Sequence, residues 1–324
     1  MPALSRRVAL SSALFAVLLV GGCGGGDDEG TPAVSASGPP GEGGTLVWAV
    51  ADQVVSRDPL EASTRAEQIA TRQVNEPLTA RVQAPFDPER SAAGLTLGAR
   101  SSSGDSVWTF ELRGGVAFQD GSPFNVSAVL KNATRWQTTA AGRAILPDLV
   151  SVDTPSPGEV RFVLAAPDPA FPKRLAEPEL GIVSPQALEP SSGSGAVLGR
   201  PLQTGTGPFE IRERDAARTL LARNTSWWGA AAKIDLGPAL DQIELRVTES
   251  PSLRLAQLDA GDAQLADQLG DSQAAQAMSD PLLSVLPARG DTFLGVERSV
   301  RGVASAREIP SLQGAWLTGV GGAR

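Results

Sequence analysis

Trp108-Thr109-Phe110-Glu111-Leu112-Arg113-Gly114-Gly115-Val116-Ala117-Phe118-Gln119-Asp120-Gly121-Ser122-Pro123-Phe124-Asn125 is the stretch on which the fold turns. Trp108, Phe110 and Leu112 alternate with Thr109, Glu111 and Arg113, and this period of two sets one face of a strand against a core. Asp120-Gly121 marks a turn. Pro123 lies close to a helix start, and Val126, Val129, Leu130 and Ala133 form one face of a helix ending near Trp136. A second alternating strand runs through Val160, Phe162 and Leu164. The aromatic residues stand at core spacing and read as packing rather than as a stacking surface for a ligand.

Upstream, Thr45 to Val50 is a short β-rich run that reads as a buried strand. Thr64-Arg65-Ala66-Glu67 has capping-box spacing, in which the Thr hydroxyl and Glu carboxylate satisfy each other's end of a helix. Ala66, Ile69, Ala70 and Val74 follow at helical spacing, and Pro77 bounds the helix. The loop between strand and helix carries Arg57-Asp58-Pro59.

Downstream, the proline-dense Pro167 to Pro172 reads as a crossing between domains, and Ser191 to Gly195 as a small-residue loop. Phe209 to Arg223 is expected to form a hairpin about Arg214-Asp215-Ala216-Ala217. Ile243, Leu245 and Val247 give another strand. A helix then starts at Ser250-Pro251, runs through Leu255 and Leu258 and stops at Gly261 in a left-handed cap. Strands and helices are interspersed and no solenoid repeat is visible, so the chain reads as mixed α/β.

The amino-terminal residues address compartment. Arg6 and Arg7 precede an apolar run from Val8 to Val20 that ends in Gly21-Gly22-Cys23, the order of a secretory signal. The run is shorter than the ~20 residues a spanning helix needs. Residues 1–22 are therefore expected to be a signal peptide. Its Gly-Cys end resembles a bacterial lipobox, which would make Cys23, the only cysteine, a lipidation site on the outer face of a membrane. Residues 23–43 are rich in Gly, Pro, Ser and acidic side chains and read as a flexible tether, with Asp27-Asp28-Glu29 a solvated spacer rather than a metal site.

Composition excludes several chemistries. The chain has no histidine, which removes Ser-His-Asp and Cys-His nucleophile pairs and conventional zinc sites, so no cofactor or metal is expected. No Gly-Lys dipeptide occurs, so there is no phosphate-cradling P-loop. Losing Arg6 and Arg7 takes the net charge from −8 to −10, and nucleic acid is excluded as a partner.

Four stretches in order resemble the peptide, oligopeptide and nickel class of bacterial extracellular solute-binding proteins, family 5. They are Gly43-Gly44-Thr45-Leu46-Val47 leading to Asp58-Pro59, with Arg57 where that family has leucine; Asn75-Glu76-Pro77-Leu78; the 108–125 stretch; and Gly205-Thr206-Gly207-Pro208-Phe209 followed by Arg223-Asn224 and Trp227-Trp228-Gly229. Physically, Gly205 and Gly207 are expected to take backbone conformations closed to other residues, and Pro208 to set the start of the next strand.

The resemblance implies an α/β fold, periplasmic-binding-protein-like type II, with a first lobe, a small inserted α+β subdomain and a largely absent second lobe. The main lobe would comprise 44–79 plus 170–324, the subdomain 80–169, and the apolar run Ala315 to Val320 would return as a strand to the first lobe. The implied role is the solute-binding component of an ABC importer for peptides or similar small solutes, not an enzyme, with permease and ATPase subunits on other chains and membrane contact only through the lipid anchor. The resemblance places Ser63 and Arg65 near the cleft as ligand-binding residues, Arg65 able to hold a carboxylate through two parallel hydrogen bonds. Trp227 and Trp228 read as packing. The alternative is a membrane-tethered adaptor or sensor that no longer delivers ligand. A hydrolase using carboxylates such as Glu177 and Glu179 lacks a convincing nucleophile.

Overall fold

The computed structural model describes residues 43–79, 94–189, 205–231, 239–288, 292–297, 300–301 and 316–317. Cys23, the leader, the tether up to residue 42 and the Ser191–Gly195 loop lie outside them. Among the described residues no helix is long and apolar enough to cross a membrane.

Strand β1 (Thr45–Val50) buries Leu46, Trp48 and Val50 on one face and Ala49 on the other, because both faces of this middle strand are covered. The capping box forms as its spacing predicts. Thr64 Oγ1 accepts the Glu67 N–H at 3.2 Å and Glu67 Oε2 accepts the Thr64 N–H at 3.0 Å, which starts helix α1 (Arg65–Val74). Ala66, Ile69, Ala70 and Val74 then pack on the β1 face that holds Leu46 and Trp48.

The excursion that follows forms its own antiparallel sheet. Strands β2 (Thr96–Ser102), β3 (Val107–Leu112), β4 (Leu149–Asp153) and β5 (Glu159–Leu164) lie in the order β2-β3-β5-β4. Phe110 and Phe162 meet edge to face at 5.6 Å between ring centres, and Phe171 closes the cluster. Helix α2 (Val126–Thr138) is capped by Asn125, buries Ala128, Val129, Ala133 and Trp136 against this sheet, and runs two residues past the expected end before α3 (Ala140–Ile145). Asn132, wholly buried, latches α2 to the returning chain through both Val183 backbone groups, at 2.8 and 3.1 Å.

After α4 (Phe171–Arg174), the expected hairpin appears as β6 (Phe209–Arg214) and β7 (Arg218–Arg223), its turn closed by Asp215 Oδ1. Helix α5 (Trp228–Ala231) and strand β8 (Gln242–Val247) follow. Helix α6 (Pro251–Asp259) ends at Gly261, whose φ of +76° is the left-handed cap expected there. Then come β9 (Leu265–Leu269), α7 (Asp271–Met278), β10 (Leu283–Pro287) and β11 (Phe293–Glu297). The seven-stranded sheet runs β10-β11-β9-β1-β8-β7-β6, with β9, β1 and β8 parallel. Leu265 joins the cluster under α1 while its neighbour Ala266 joins that under α6 and α7, so helices cover both faces.

Trp316-Leu317 (β13), within the apolar run expected to return as a strand to the first lobe, pairs with Val300-Arg301 (β12) in a two-stranded sheet, and Val300 packs in the cluster under the main sheet. One expectation is corrected. Gly205 and Gly207 do not take positive φ; they are glycines because a Cβ on either would lie 1.8 Å from the Val74 carbonyl oxygen and 2.5 Å from that of Gln73 respectively. That close approach joins three separate motifs. Glu76 Oε2 accepts hydrogen bonds from Thr206 Oγ1 at 2.8 Å and Trp228 Nε1 at 2.7 Å, and Oε1 accepts a longer one from Trp227 Nε1 at 3.4 Å. Arg113 lies 4.8 Å over the Trp228 ring. Burial raises the Glu76 carboxyl to about 7, against the pull of those three donors and of Arg72.

Candidate functional site

In a sheet with parallel central strands, the loops at the carboxyl ends of those strands and the helix starts beside them gather on one edge, where such folds place ligands. Here that edge is formed by the ends of β1, β8 and β9: the 51–64 loop, Thr248-Glu249-Ser250 and the segment around Gln268.

The 51–64 loop is organised by one carboxylate. Glu67 Oε1 accepts the N–H groups of Val55 and Ser56 at 3.2 and 2.7 Å, and Oε2 accepts those of Ser63 and Thr64 at 2.8 and 3.0 Å together with the Ser63 hydroxyl at 3.2 Å. Burial opposes ionisation of Glu67, but the backbone donors at Ser56, Thr64, Ser63 and Val55 together outweigh it, and the carboxyl titrates below its ordinary range. Arg214 of β6 pins the same loop through the carbonyls of Val54 and Val55 at 2.9 and 2.7 Å. Asp58 ties it to the four-stranded excursion by pairing with Arg135 of α2.

Ser63 and Arg65 therefore stand together at the start of α1, on this edge. Ser63 is engaged with Glu67. Arg65 Nε donates to Asp267 Oδ2 at 2.8 Å; the Asp267 side chain is wholly buried and that of Arg65 is 13% exposed. Sequence reading missed Asp267, although a charged residue in the short run Leu265-Ala266-Asp267-Gln268-Leu269, flanked by apolar residues, was a usable signal.

A bulge follows Asp267. Between the pairs Leu269↔Phe293 and Ala266↔Gly295 strand β9 uses one more residue than β11, and Gln268 takes φ +51°, an uncommon conformation for a residue with a side chain. Ordinary alternation from Leu265 already faces Asp267 toward α1; the extra residue resets the faces beyond it, so that Leu269 packs with α6. Arg254 of α6, also buried, holds the bulge from behind. Its guanidinium donates to the carbonyls of Asp267 (2.7 Å), Gln268 (2.8 Å), Thr248 (2.7 Å) and Glu249 (2.8 Å), so the ends of β8 and β9 are bracketed by one planar cation. Burial lowers the Arg254 pKa, and the nearby carboxylates of Asp267 and Asp52 offset part of that.

A mixed sheet with parallel strands β9-β1-β8 at its centre, helices on both faces and a four-stranded excursion is the lobe architecture of the type II periplasmic-binding-protein-like fold. The chain belongs to family 5 of the bacterial extracellular solute-binding proteins: the family's profile, described as bacterial extracellular solute-binding proteins, family 5 Middle, matches residues 92–301, more than half of the chain.

Curated relatives include the glutathione-binding protein GsiB of Escherichia coli K12, 27% identical over 234 residues, which cover 71% of this chain and 43% of that one. The same protein of Shigella dysenteriae is 28% identical over 236 residues with the same coverage. Among solved structures, the periplasmic binding protein DppA of Helicobacter pylori in complex with peptide STSA superposes with a TM-score of 0.63 at 21% identity, covering 75% of this chain and 50% of that one. NikA of Brucella suis in complex with Fe(III)-EDTA gives 0.61 at 22%, covering 75% and 48%. The chain thus spans about half the length of the relatives it matches.

Proposed function

We propose that this chain is the extracytoplasmic solute-capturing component of an ABC importer, that it takes peptides or similar small solutes, and that it works with permease and ATPase subunits carried on other chains. The observation that carries this reading is the built edge at the ends of β1, β8 and β9. There a buried ion pair, Arg65–Asp267, is presented beside a loop held by one carboxylate, on the fold of a family of solute-binding proteins. The names of the glutathione-binding relative and of the peptide-bound neighbour support the peptide class. Ser63 and Arg65 are the ligand-facing residues of this reading, and the protein is a binder rather than an enzyme.

The rest of the reading comes from sequence. A leader over 1–22 and acylation at Cys23 would hold the protein at the outer face of a membrane, with 23–43 as tether. The division into a main lobe of 44–79 plus 170–324 and an inserted subdomain of 80–169 is supported by the two separate sheets. Native mass spectrometry of protein purified from its own host, with thermal shift across peptide pools, tests the proposal. A co-purifying solute and a ligand-dependent shift are expected. No shift with any pool, together with retention of a partner protein in pull-down, would replace it with the adaptor reading.

A further inference from the structure

Two opposite charges grip one stretch of the 51–64 loop from either side. Glu67 is buried, Arg214 lies at the exposed end of β6, and neither has an ion-pair partner among the described residues. The Val55 N–H and the Val54 carbonyl belong to one peptide group: the first donates to Glu67 Oε1 at 3.2 Å, and the second accepts from Arg214 Nη1 at 2.9 Å. The next peptide group repeats the arrangement, with the Ser56 N–H on Glu67 Oε1 at 2.7 Å and the Val55 carbonyl on Arg214 Nη1 at 2.7 Å. In a trans peptide N–H and C=O point opposite ways. Two consecutive peptide dipoles therefore lie between the charges, positive ends toward the carboxylate and negative ends toward the guanidinium. Hydrogen bonds joined in such a chain polarise one another, so each end strengthens the other. A buried carboxylate is costly without a cation. Glu67 has its cation across the backbone rather than in contact.

We infer that Glu67 and Arg214 are positioning residues for solute capture, acting as one unit through the peptide groups Val54–Val55 and Val55–Ser56 to fix the loop that forms part of the candidate ligand edge. This rests on the solute-capturing reading and adds how its edge is kept in shape. The two residues differ in reach. Glu67 Oε2 also holds the far end of the loop through the N–H groups of Ser63 and Thr64, at 2.8 and 3.0 Å, whereas Arg214 bonds only the carbonyls of Val54 and Val55. Loss of either charge frees the 54–56 backbone, and loss of Glu67 frees 63–64 as well. Glutamine is no substitute at 67, because one of its terminal atoms is itself a donor and would face N–H donors.

The test combines amide hydrogen exchange read by NMR with calorimetric titration of tri-alanine and glutathione, on the whole protein, Glu67→Gln, Arg214→Met and the double variant. In wild type the Val55 and Ser56 amides, which donate to a side chain and not to backbone, are expected to exchange at least about tenfold more slowly than exposed amides. Each single variant should speed their exchange about tenfold and weaken the tighter-binding probe about fivefold, with the Ser63 and Thr64 amides following only in Glu67→Gln. The double variant should stay within about twofold of the worse single one, where independent contributions would multiply to about a hundredfold in exchange. Unprotected Val55 and Ser56 amides in wild type overturn the inference without any variant, so it stays open to refutation should Glu67→Gln fail to fold. Effects that multiply in the double variant, or probe affinity unchanged in both single variants, overturn it too and leave the solute-capturing reading standing. Wild type binding neither probe also overturns it, and with no shift in the peptide pools removes that reading as well.

Discussion

Replacing Glu76 by glutamine should convert a pH-dependent stability into a nearly pH-independent one. Glu76 is enclosed by Thr206, Trp227 and Trp228, and its carboxyl lies at about 7 in the folded protein against an ordinary value of 4.5. The folded value is raised, so the protonated form is the one the fold prefers. Its stabilising contribution is complete below pH 4.5 and is lost as the pH rises through 7. At ~1.4 kcal/mol per pH unit, the span from 4.5 to about 7 sets an upper bound of ~3.5 kcal/mol on that loss. The residue keeps partial solvent contact, so the expected loss is roughly 1–3 kcal/mol. Glutamine resembles the protonated acid: one oxygen still accepts from Trp228 or Thr206, and no charge forms. Urea denaturation at pH 5 and pH 8 reads the effect. The variant should match wild type within about 1 kcal/mol at pH 5 and exceed it by ~1–3 kcal/mol at pH 8. A difference that is flat with pH would refute the argument, and so would wild type gaining on the variant as pH rises, which would mean that the indole and hydroxyl donors more than compensate burial of the charge.

Thr64→Ala removes the hydroxyl half of the capping box and should cost about 1 kcal/mol in chemical denaturation. Gly205→Ala places a methyl 1.8 Å from the Val74 carbonyl oxygen, which backbone must move to admit; a loss of about 3 kcal/mol or more is expected, whereas Gly114→Ala, with nothing within 4 Å, should stay within ~0.5 kcal/mol. Arg254→Met leaves four carbonyls without their donor and should lose roughly 3 kcal/mol in urea denaturation, with Arg254→Lys recovering less than half because one ammonium cannot span both strand ends.

Features carried by short spacings are legible in the sequence alone. The Thr64–Glu67 box, the alternation at Trp108, Phe110 and Leu112, the Asp215 turn and the Gly261 cap each depend on residues within a few positions of one another, and all appear where expected. Strands β2 and β4 are not legible in this way because Thr96–Ser102 and Leu149–Asp153 show little burial contrast, nor is α7, whose alanines and glutamines carry a weak apolar face. The candidate site is half legible. Ser63 and Arg65 come with the capping box, while Asp267 and Arg254 have no local pattern to mark them as partners.

By itself the sequence determined strands β1, β3 and β5, the β6–β7 hairpin, β8 and helices α1, α2 and α6, the chemistries excluded by the absence of histidine, and the motifs at Glu76, Gly205 and Trp227-Trp228 as separate signals, but not β9, β10 and β11, which complete the main sheet. Only the tertiary structure decided that those motifs converge on one carboxylate, across 130 to 152 residues of chain. It alone decided, too, that Gln268 adopts a left-handed backbone and that Asp267 meets Arg65, 202 residues away. The physical reason is one of range. Caps, turns and alternation are set by neighbours along the chain, whereas a bulge held through its carbonyls by an arginine of the preceding helix and a carboxyl shifted by enclosure exist only once separate elements have packed around them.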